Sequence, residues 1–395
     1  MRKALSYFLL FTLILCLKKN SAQAQLIEVW RDTTYTAVQF LERAIAEYSD
    51  KIKDSEYNTA RRIASRFGRT TRIVSIKYRT TGPDGQPLTA SGVVAYPVEG
   101  EIRGVVEVAP VCKDKSSCGS VQMFATEFAP AVVGYVTIAP DMLGFGATAD
   151  MPVSYFDHKT AVTLSVDMRR AAAEYLHGIG IELPASSDLF GYSLGAANAF
   201  ALACHYSAYP WLGVKVSSLF IGGGAYSPVT AVRSYAASGR MDYVILPGII
   251  ESIRHYRHLD IDISRIFKGN VLRDFKDIVS ARLNGTDLCD KYGSNLREYM
   301  CDDFFRAEGN AVLNAVIDVL KTEVQPHLGQ RLDPNIFVSI CHARGDSIVP
   351  VSCSDELYDA LRPLQKNLSY HRDNNDSHHS EGARLFYSFL KYLIF

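Results

Sequence analysis

The stretch Leu189-Phe190-Gly191-Tyr192-Ser193-Leu194-Gly195 decides the fold class of this chain. It begins with apolar residues, as a buried strand does, and the alanine-rich segment 194–204 that follows has the pattern of a helix. The G-x-S-x-G between them is typical of a sharp turn from strand to helix that exposes a serine hydroxyl. Because so short a pattern also occurs by chance, its meaning depends on the sequence around it.

Short apolar segments alternate with helical patterns on both sides of this turn. Such alternation predicts an α/β fold, with a mostly parallel sheet flanked by helices. Two earlier segments, 72–78 and 90–96, are separated by the turn Gly82-Pro83-Asp84-Gly85 and predict an antiparallel opening of the sheet. The later predicted strands are 105–109, 135–139, 188–190, 216–221, 335–341 and 368–371.

The alternation stops between the strands 216–221 and 335–341, where only helical patterns occur. We therefore predict a helical cap inserted into the sheet domain. The predicted organisation is a signal peptide (1–24), an N-terminal helical leader (25–71), a first part of the core (72–225), the cap (226–332) and a second part of the core (333–395).

The N-terminus has the pattern of a secretion signal. Arg2 and Lys3 precede the apolar segment 4–17, and Ala22-Gln23-Ala24 offers a cleavage site after Ala24. We expect a secreted or periplasmic protein; a retained membrane anchor and a lipoprotein signal using Cys16 are the alternatives. Lys plus Arg and Asp plus Glu both number 42, so no net charge attracts nucleic acid or an anionic membrane.

Cysteines that remain after cleavage have sequence-local partners in an oxidising compartment. Cys204 is the exception, since it lies in the apolar helical segment and is expected to be a buried thiol. Which cysteines pair is left open. The candidate pairs are Cys112 with Cys118, Cys289 with Cys301, and Cys341 with Cys353.

A serine hydroxyl becomes a useful nucleophile only beside a base, and the base needs an acid to orient it. With Ser193 at a strand-to-helix turn, the acid and then the base are expected on loops after later strands. Asp346 follows the predicted strand 335–341 and Gly345 lets the loop turn, which makes Asp346 the preferred acid over Asp333 and Asp355.

Two adjacent histidines precede the predicted C-terminal helix, 381–392, and only one of them can face Ser193. We prefer His379 as the base, because Gly382 gives it a small residue three positions later at the helix start. His378 is the alternative base.

Two backbone N–H groups are needed to stabilise an oxyanion. Leu194, the first residue of the helix after Ser193, supplies one. The loop after the strand 105–109 should supply the other; Pro110 has no N–H, so Val111 is the candidate and Cys112 the next.

Taken together, five motifs in order resemble the α/β-hydrolase superfamily, and more narrowly its exported bacterial lipase and esterase-like members with a helical cap. The resemblance extends from about Arg72 to the C-terminus. It implies Ser193 as nucleophile, Asp346 as acid and His379 as base, with Asp141 a structural residue near the site. The motifs are Ala90-Ser91-Gly92-Val93-Val94, the segment 134–146, Asp167-Met168-Arg169-Arg170-Ala171, Gly191-Tyr192-Ser193-Leu194-Gly195 and the segment 345–350.

The predicted function is an exported serine hydrolase that cleaves carboxylic esters through an acyl-serine. Its expected partner is a small-molecule ester or lipid, with no cofactor or metal, no nucleic acid and no stable membrane span after cleavage. One alternative is a prolyl-oligopeptidase-like peptidase, although no propeller repeats are seen. Another is a non-catalytic hydrolase-fold binding protein, because the chain has Pro110-Val111 where relatives often carry His-Gly.

Overall fold

A computed structural model describes residues 25–46, 54–110, 118–280, 285–322, 325–374 and 377–395. The predicted signal peptide, 1–24, lies outside the described residues. The described strands form one mixed sheet of nine strands, in the spatial order β1-β2-β3-β5-β4-β6-β7-β8-β9. They are β1 (Leu26–Tyr35), β2 (Thr71–Thr81), β3 (Pro87–Pro97), β4 (Gly104–Ala109), β5 (Tyr135–Pro140), β6 (Ser186–Tyr192), β7 (Lys215–Gly222), β8 (Phe337–Ala343) and β9 (Asn367–Asp373).

The antiparallel opening and the parallel remainder agree with the sequence prediction. Strands β1, β2, β3 and β5 pair antiparallel, whereas β5, β4, β6, β7, β8 and β9 pair parallel. The central strands are almost continuously apolar because helices cover both faces of the sheet. The chain lays β5 on one side of β4 and β6 on the other, and a change of direction of this kind opens a crevice at the carboxyl ends of the strands.

Helices cover the sheet and fill the long insertion between β7 and β8. Short 3-10 turns separate several of them. The α-helices are α1 (Ala37–Ala46), α2 (Asp54–Phe67), α3 (Gly119–Gln122), α4 (His158–Gly178), α5 (Leu194–Ala208), α6 (Pro228–Ser238), α7 (Leu246–Tyr256), α8 (Gly269–Ser280), α9 (Gly285–Tyr292), α10 (Ala311–Thr322), α11 (Ser352–Leu361) and α12 (His378–Ile394).

The inserted helices α6 to α10 share a hydrophobic core, to which Ile249, Phe267 and Leu296 belong and which Val349 and Cys353, after β8, complete. Among the described residues between β7 and β8 there is no strand. The inserted helices therefore pack on one another and on the segment after β8, and their role as a cap stays a prediction.

The N-terminal segment differs from the prediction of a helical leader. Residues 36–67 do contain the helices α1 and α2, but β1 precedes them and pairs antiparallel with β2, placing Thr33 opposite Ile73. Most of β1 is exposed, so the sequence shows little of the burial pattern that marks a strand. The strand forms because its backbone groups hydrogen-bond with the edge of β2, and this pairing joins residues far apart in the sequence.

Neither fully described candidate disulfide is present. Cys341 and Cys353 are free thiols with different neighbours, since the thiol of Cys341 contacts the Glu381 carboxyl group and that of Cys353 lies 3.7 Å from the Ser227 carbonyl oxygen. Cys289, Cys301, Cys118 and the buried Cys204 are free as well, and Cys112 lies outside the described residues.

No helix in the described ranges is long and apolar enough to cross a membrane.

Candidate active site

Ser193 lies at the sharp turn between β6 and α5, at the carboxyl edge of the sheet. Its backbone angles are φ 54° and ψ −126°, a conformation with positive φ that residues other than glycine seldom adopt. The Ser193 N–H donates to the Gly222 carbonyl oxygen at 2.9 Å, which ties the turn to the end of β7. The turn therefore holds the serine in one strained orientation.

The two glycines of the motif permit close backbone approaches at this turn. A Cβ atom on Gly191 would stand 2.3 Å from the Gly195 carbonyl oxygen, and one on Gly195 would stand 2.2 Å from the Ala109 carbonyl oxygen. No real Cβ atom tolerates such contacts. Both glycines are thus required for α5 to start directly over β6 and beside β4.

Asp346 lies in the loop after β8, where its side chain is almost fully buried. Its Oδ1 accepts backbone N–H bonds from Ile348 and Val349, both at 2.9 Å. Its Oδ2 faces His378 Nδ1 at 2.6 Å. Burial acts to raise the pKa of Asp346, but hydrogen bonds from two imidazoles outweigh it and hold that pKa below its ordinary value. Asp346 is therefore an anionic acceptor at neutral pH.

The imidazole that meets Asp346 belongs to His378, so the preference for His379 is wrong on this point. His378 is buried and begins α12, whereas His379 is exposed. The helix starts earlier than expected because Ser377 caps it, its side chain accepting the Ser380 N–H at 3.2 Å.

The small residue used to choose between the histidines has a different role. A Cβ atom on Gly382 would lie 2.8 Å from the ring of Tyr192, and that ring packs on His378 with 5.0 Å between centroids. Gly382 therefore makes room for Tyr192, one helical turn after His378.

Ser193 and His378 each lie against the corner formed by Gly222 and Gly223. The serine backbone is bonded to Gly222, and a Cβ atom on Gly223 would lie 3.0 Å from His378 Cε1. Tyr192 also holds the backbone of His378, since its hydroxyl donates to the His378 carbonyl oxygen at 2.5 Å. Serine, histidine and aspartate, which are far apart in sequence, are thus brought to one edge of the sheet.

Leu194 is the first residue of α5, and the N–H of such a residue has no acceptor within its own helix. It lies at the positive end of the helix dipole, which suits it to bind an oxyanion. Val111, the predicted second donor, lies outside the described residues.

The surroundings of Leu194 are apolar. Met142, Phe145 and Leu194 form a small buried cluster, and Tyr155 and Phe156 pack against it. This wall suits a hydrocarbon group more than a charged one.

Asp141 is buried close to this wall and has structural partners. It accepts hydrogen bonds from the hydroxyl groups of Ser91, at 2.5 Å, and Ser120. Burial raises the pKa of Asp141, although these hydroxyls partly oppose the effect. The side chain joins β3 to α3, in agreement with the structural role that the resemblance implied.

His342 is a residue of the site that the sequence analysis did not single out. It is fully buried at the end of β8, and its Nε2 lies 3.2 Å from Asp346 Oδ2. The available signal was its spacing, four residues before Asp346 across a tight loop, but such spacing alone does not show which way the ring points.

Comparison with known proteins assigns the family. The sequence model of the family described as secretory lipase matches residues 115–385, which is more than half of the chain. The chain belongs to the secretory lipase family. It is accordingly an α/β-hydrolase of the lipase and esterase type, as the sequence motifs indicated. No curated protein sequence matches it significantly.

Solved structures share the fold of this secretory lipase family member at low sequence identity. The cell wall degrading esterase LipA of Xanthomonas oryzae, in a ligand-bound form, is 18% identical with a TM-score of 0.72, over 94% of this chain and 97% of that one. Candida antarctica lipase A is 16% identical with a TM-score of 0.59, over 78% of this chain and 73% of that one. A Legionella pneumophila protein reaches a TM-score of 0.76 at 16% identity, over 94% and 97% of the two chains.

Proposed function

We propose that this protein is an exported serine hydrolase that cleaves carboxylic esters through an acyl-serine, with Ser193 as nucleophile, His378 as base and Asp346 as acid. The observation that carries the proposal is the buried 2.6 Å contact of His378 Nδ1 with Asp346 Oδ2, beside the corner to which Ser193 is bonded. A carboxylate, an imidazole and a serine hydroxyl, in this order, are the groups that nucleophilic acyl transfer requires.

In the proposed reaction, Ser193 Oγ attacks the ester carbonyl carbon while His378 Nε2 takes the hydroxyl proton. Asp346 keeps the other proton of the imidazole on Nδ1 and stabilises the imidazolium. The negative charge on the carbonyl oxygen is bound by the Leu194 N–H and by a second donor, for which Val111 remains the candidate. The imidazolium then protonates the departing alcohol. Water activated by the same histidine releases the carboxylic acid.

The family and the apolar wall around Leu194 support an ester with a hydrocarbon acyl or alcohol part. The length of that part and the preference for esters over amides are to be measured with p-nitrophenyl esters from acetyl to palmitoyl and the matching anilides. Export is part of the proposal; N-terminal sequencing of the mature protein should begin at Gln25.

The paired histidines provide a matched test. Ser193→Ala and His378→Asn should lower kcat for a short p-nitrophenyl ester by on the order of 10⁴–10⁶, since removal of a nucleophile or base has such effects in serine hydrolases. His379→Asn, an exposed neighbour changed in the same way, should stay within about twofold of the wild type because it lies outside the proton path. Circular dichroism should show that all three variants are folded.

A fluorophosphonate probe should add its mass at Ser193 in the wild type and not in Ser193→Ala. Full activity of Ser193→Ala, or loss of activity in His379→Asn with retention in His378→Asn, would contradict the assignment. An inert Ser193 in an active enzyme would favour a different chemistry, and an inert Ser193 with no turnover would favour the binding-protein alternative.

A further inference from the structure

The Asp346 carboxylate has two imidazole neighbours on one oxygen. Oδ2 lies 2.6 Å from His378 Nδ1 and 3.2 Å from His342 Nε2. The second ring is fully buried, and it is held at its far side by Ser354 of α11, whose Oγ lies 2.6 Å from His342 Nδ1.

The proton of the His342 ring can be placed from its neighbours. Nε2 faces two acceptors, Asp346 Oδ2 and the Val349 carbonyl oxygen at 3.0 Å, so Nε2 must carry the hydrogen. The Nδ1 atom faces the Ser354 hydroxyl, which is able to donate to it. The two acceptors at Nε2 therefore fix the tautomer that points an N–H group at Asp346, and the Ser354 hydroxyl holds the ring in place by donating to Nδ1.

We propose that His342 is a positioning residue for the reaction: its Nε2–H fixes the Asp346 carboxylate and shares the charge of Oδ2 with His378. This inference rests on the proposed function, because it concerns the acid of the same site. His342 contacts Asp346 Oδ2 and is itself held by Ser354, while His378 contacts the same oxygen atom. His342 acts through Asp346 and does not itself contact substrate.

The hydrogen bond from His342 to Asp346 Oδ2 affects how readily His378 is protonated. When His342 donates to Oδ2, less of the carboxylate charge is available to stabilise a protonated His378. Loss of that donor should leave His378 easier to protonate, so the acid limb of the pH–rate profile should move to higher pH. The carboxylate should also lose its fixed orientation, which lowers kcat.

The other titratable groups facing Asp346 do not blur this readout. Tyr192 on β6 and Tyr235 on α6 have pKa values raised by burial, and burial raises the pKa of Cys353 on α11 to about 12. All three stay neutral between pH 5 and 9. The exposed His379, whose ring centroid lies 5.7 Å from that of His378, is present in wild type and variants alike and therefore does not account for a difference between their profiles.

The test compares His342→Leu, which removes the donor, with His342→Gln, which places an amide N–H near the position of Nε2. In His342→Leu, kcat for a short p-nitrophenyl ester should fall about tenfold or more, as for a small misplacement of reacting groups. KM should change by less than about twofold, and the acid limb of kcat/KM should rise by roughly 0.5–1 pH unit. His342→Gln should recover most of kcat and return the limb toward its wild-type position.

Tyr206→Phe is the matched control. Tyr206 also makes a buried hydrogen bond, to Glu107 at 2.8 Å, but belongs to the core away from Asp346. The Tyr206→Phe variant should have a lower melting temperature than the wild type and the same acid limb in its pH–rate profile. A His342→Leu variant that lowers the melting temperature but keeps the wild-type acid limb overturns the proposal, because a merely structural role predicts that result.

Should His342→Leu fail to fold, Ser354→Ala decides the question. Without the hydroxyl the ring loses the hydrogen bond that anchors its far side, so its N–H is held less firmly against Asp346 and the acid limb should move in the same direction by a smaller amount. An unchanged limb would overturn the proposal. Wild-type hydrolysis and fluorophosphonate labelling of Ser193 are measured in parallel. Failure of those two signals rejects the proposed function, whereas failure of the pH shift alone rejects only the role of His342.

Discussion

Acidification should destabilise this protein through His158, the first residue of α4. The side chain is buried, its Nδ1 lies 2.8 Å from Asn198 Oδ1, and Nε2 has no hydrogen-bond partner among the described residues. Burial lowers the pKa of His158 from 6.5 to about 4, although the bond to Asn198 partly opposes it. Between pH 6.5 and about 4, His158 therefore binds a proton in the unfolded chain but not in the folded protein.

The sign and size follow from that difference in pKa. Above pH 6.5 His158 is neutral in both states, and its contribution to stability is complete. Between pH 6.5 and about 4 only the unfolded chain binds the proton, so the free energy of unfolding falls as the pH falls. The loss from this one residue is about 2 kcal/mol at pH 5 and approaches about 3 kcal/mol at pH 4.

The measurement is urea unfolding followed by circular dichroism at pH 7.5 and pH 5. Between these values, the free energy of unfolding of the wild type should fall by about 2 kcal/mol more than that of His158→Asn. His177→Asn, which changes an exposed histidine of the same helix, should lose as much as the wild type. If wild type and His158→Asn lose the same amount, the buried neutral imidazole is not the cause and the reasoning fails.

Two further predictions concern the core and the base. The buried Glu107 lies 2.6 Å from the Arg169 guanidinium, and Arg169→Met leaves it without a counter-charge. Urea unfolding should show a loss of about 3–5 kcal/mol in stability, much of which the additional change Glu107→Gln should recover. A loss below about 1 kcal/mol would refute the importance of the ion pair. Gly382→Ala should push the Tyr192 ring against the imidazole of the site and lower kcat about tenfold with little change in KM. Gly178→Ala, where a Cβ meets open space, is its control, and equal kinetics of the two variants would rule out the steric explanation.

The course of the chain from β2 to α12 was largely predictable because its signals are local. Short apolar segments, helical periodicity and turn-forming residues each act within a few positions. The carboxyl ends of parallel strands meet at one edge of a sheet, so the loops carrying Ser193 and Asp346 were expected to converge there. The exposed edge strand β1 gave no comparable signal, and only its pairing with β2 defines it.

The sequence by itself predicted that Ser193 stands at a strand-to-helix turn, because an apolar segment precedes the G-x-S-x-G and an alanine-rich segment follows it, and that Asp346 follows a core strand. It did not determine which histidine meets Asp346. Adjacent residues of a helix point about 100° apart, so the choice between His378 and His379 depends on how α12 packs against Tyr192 and β8. Tertiary packing, which joins residues far apart in the chain, alone made that choice.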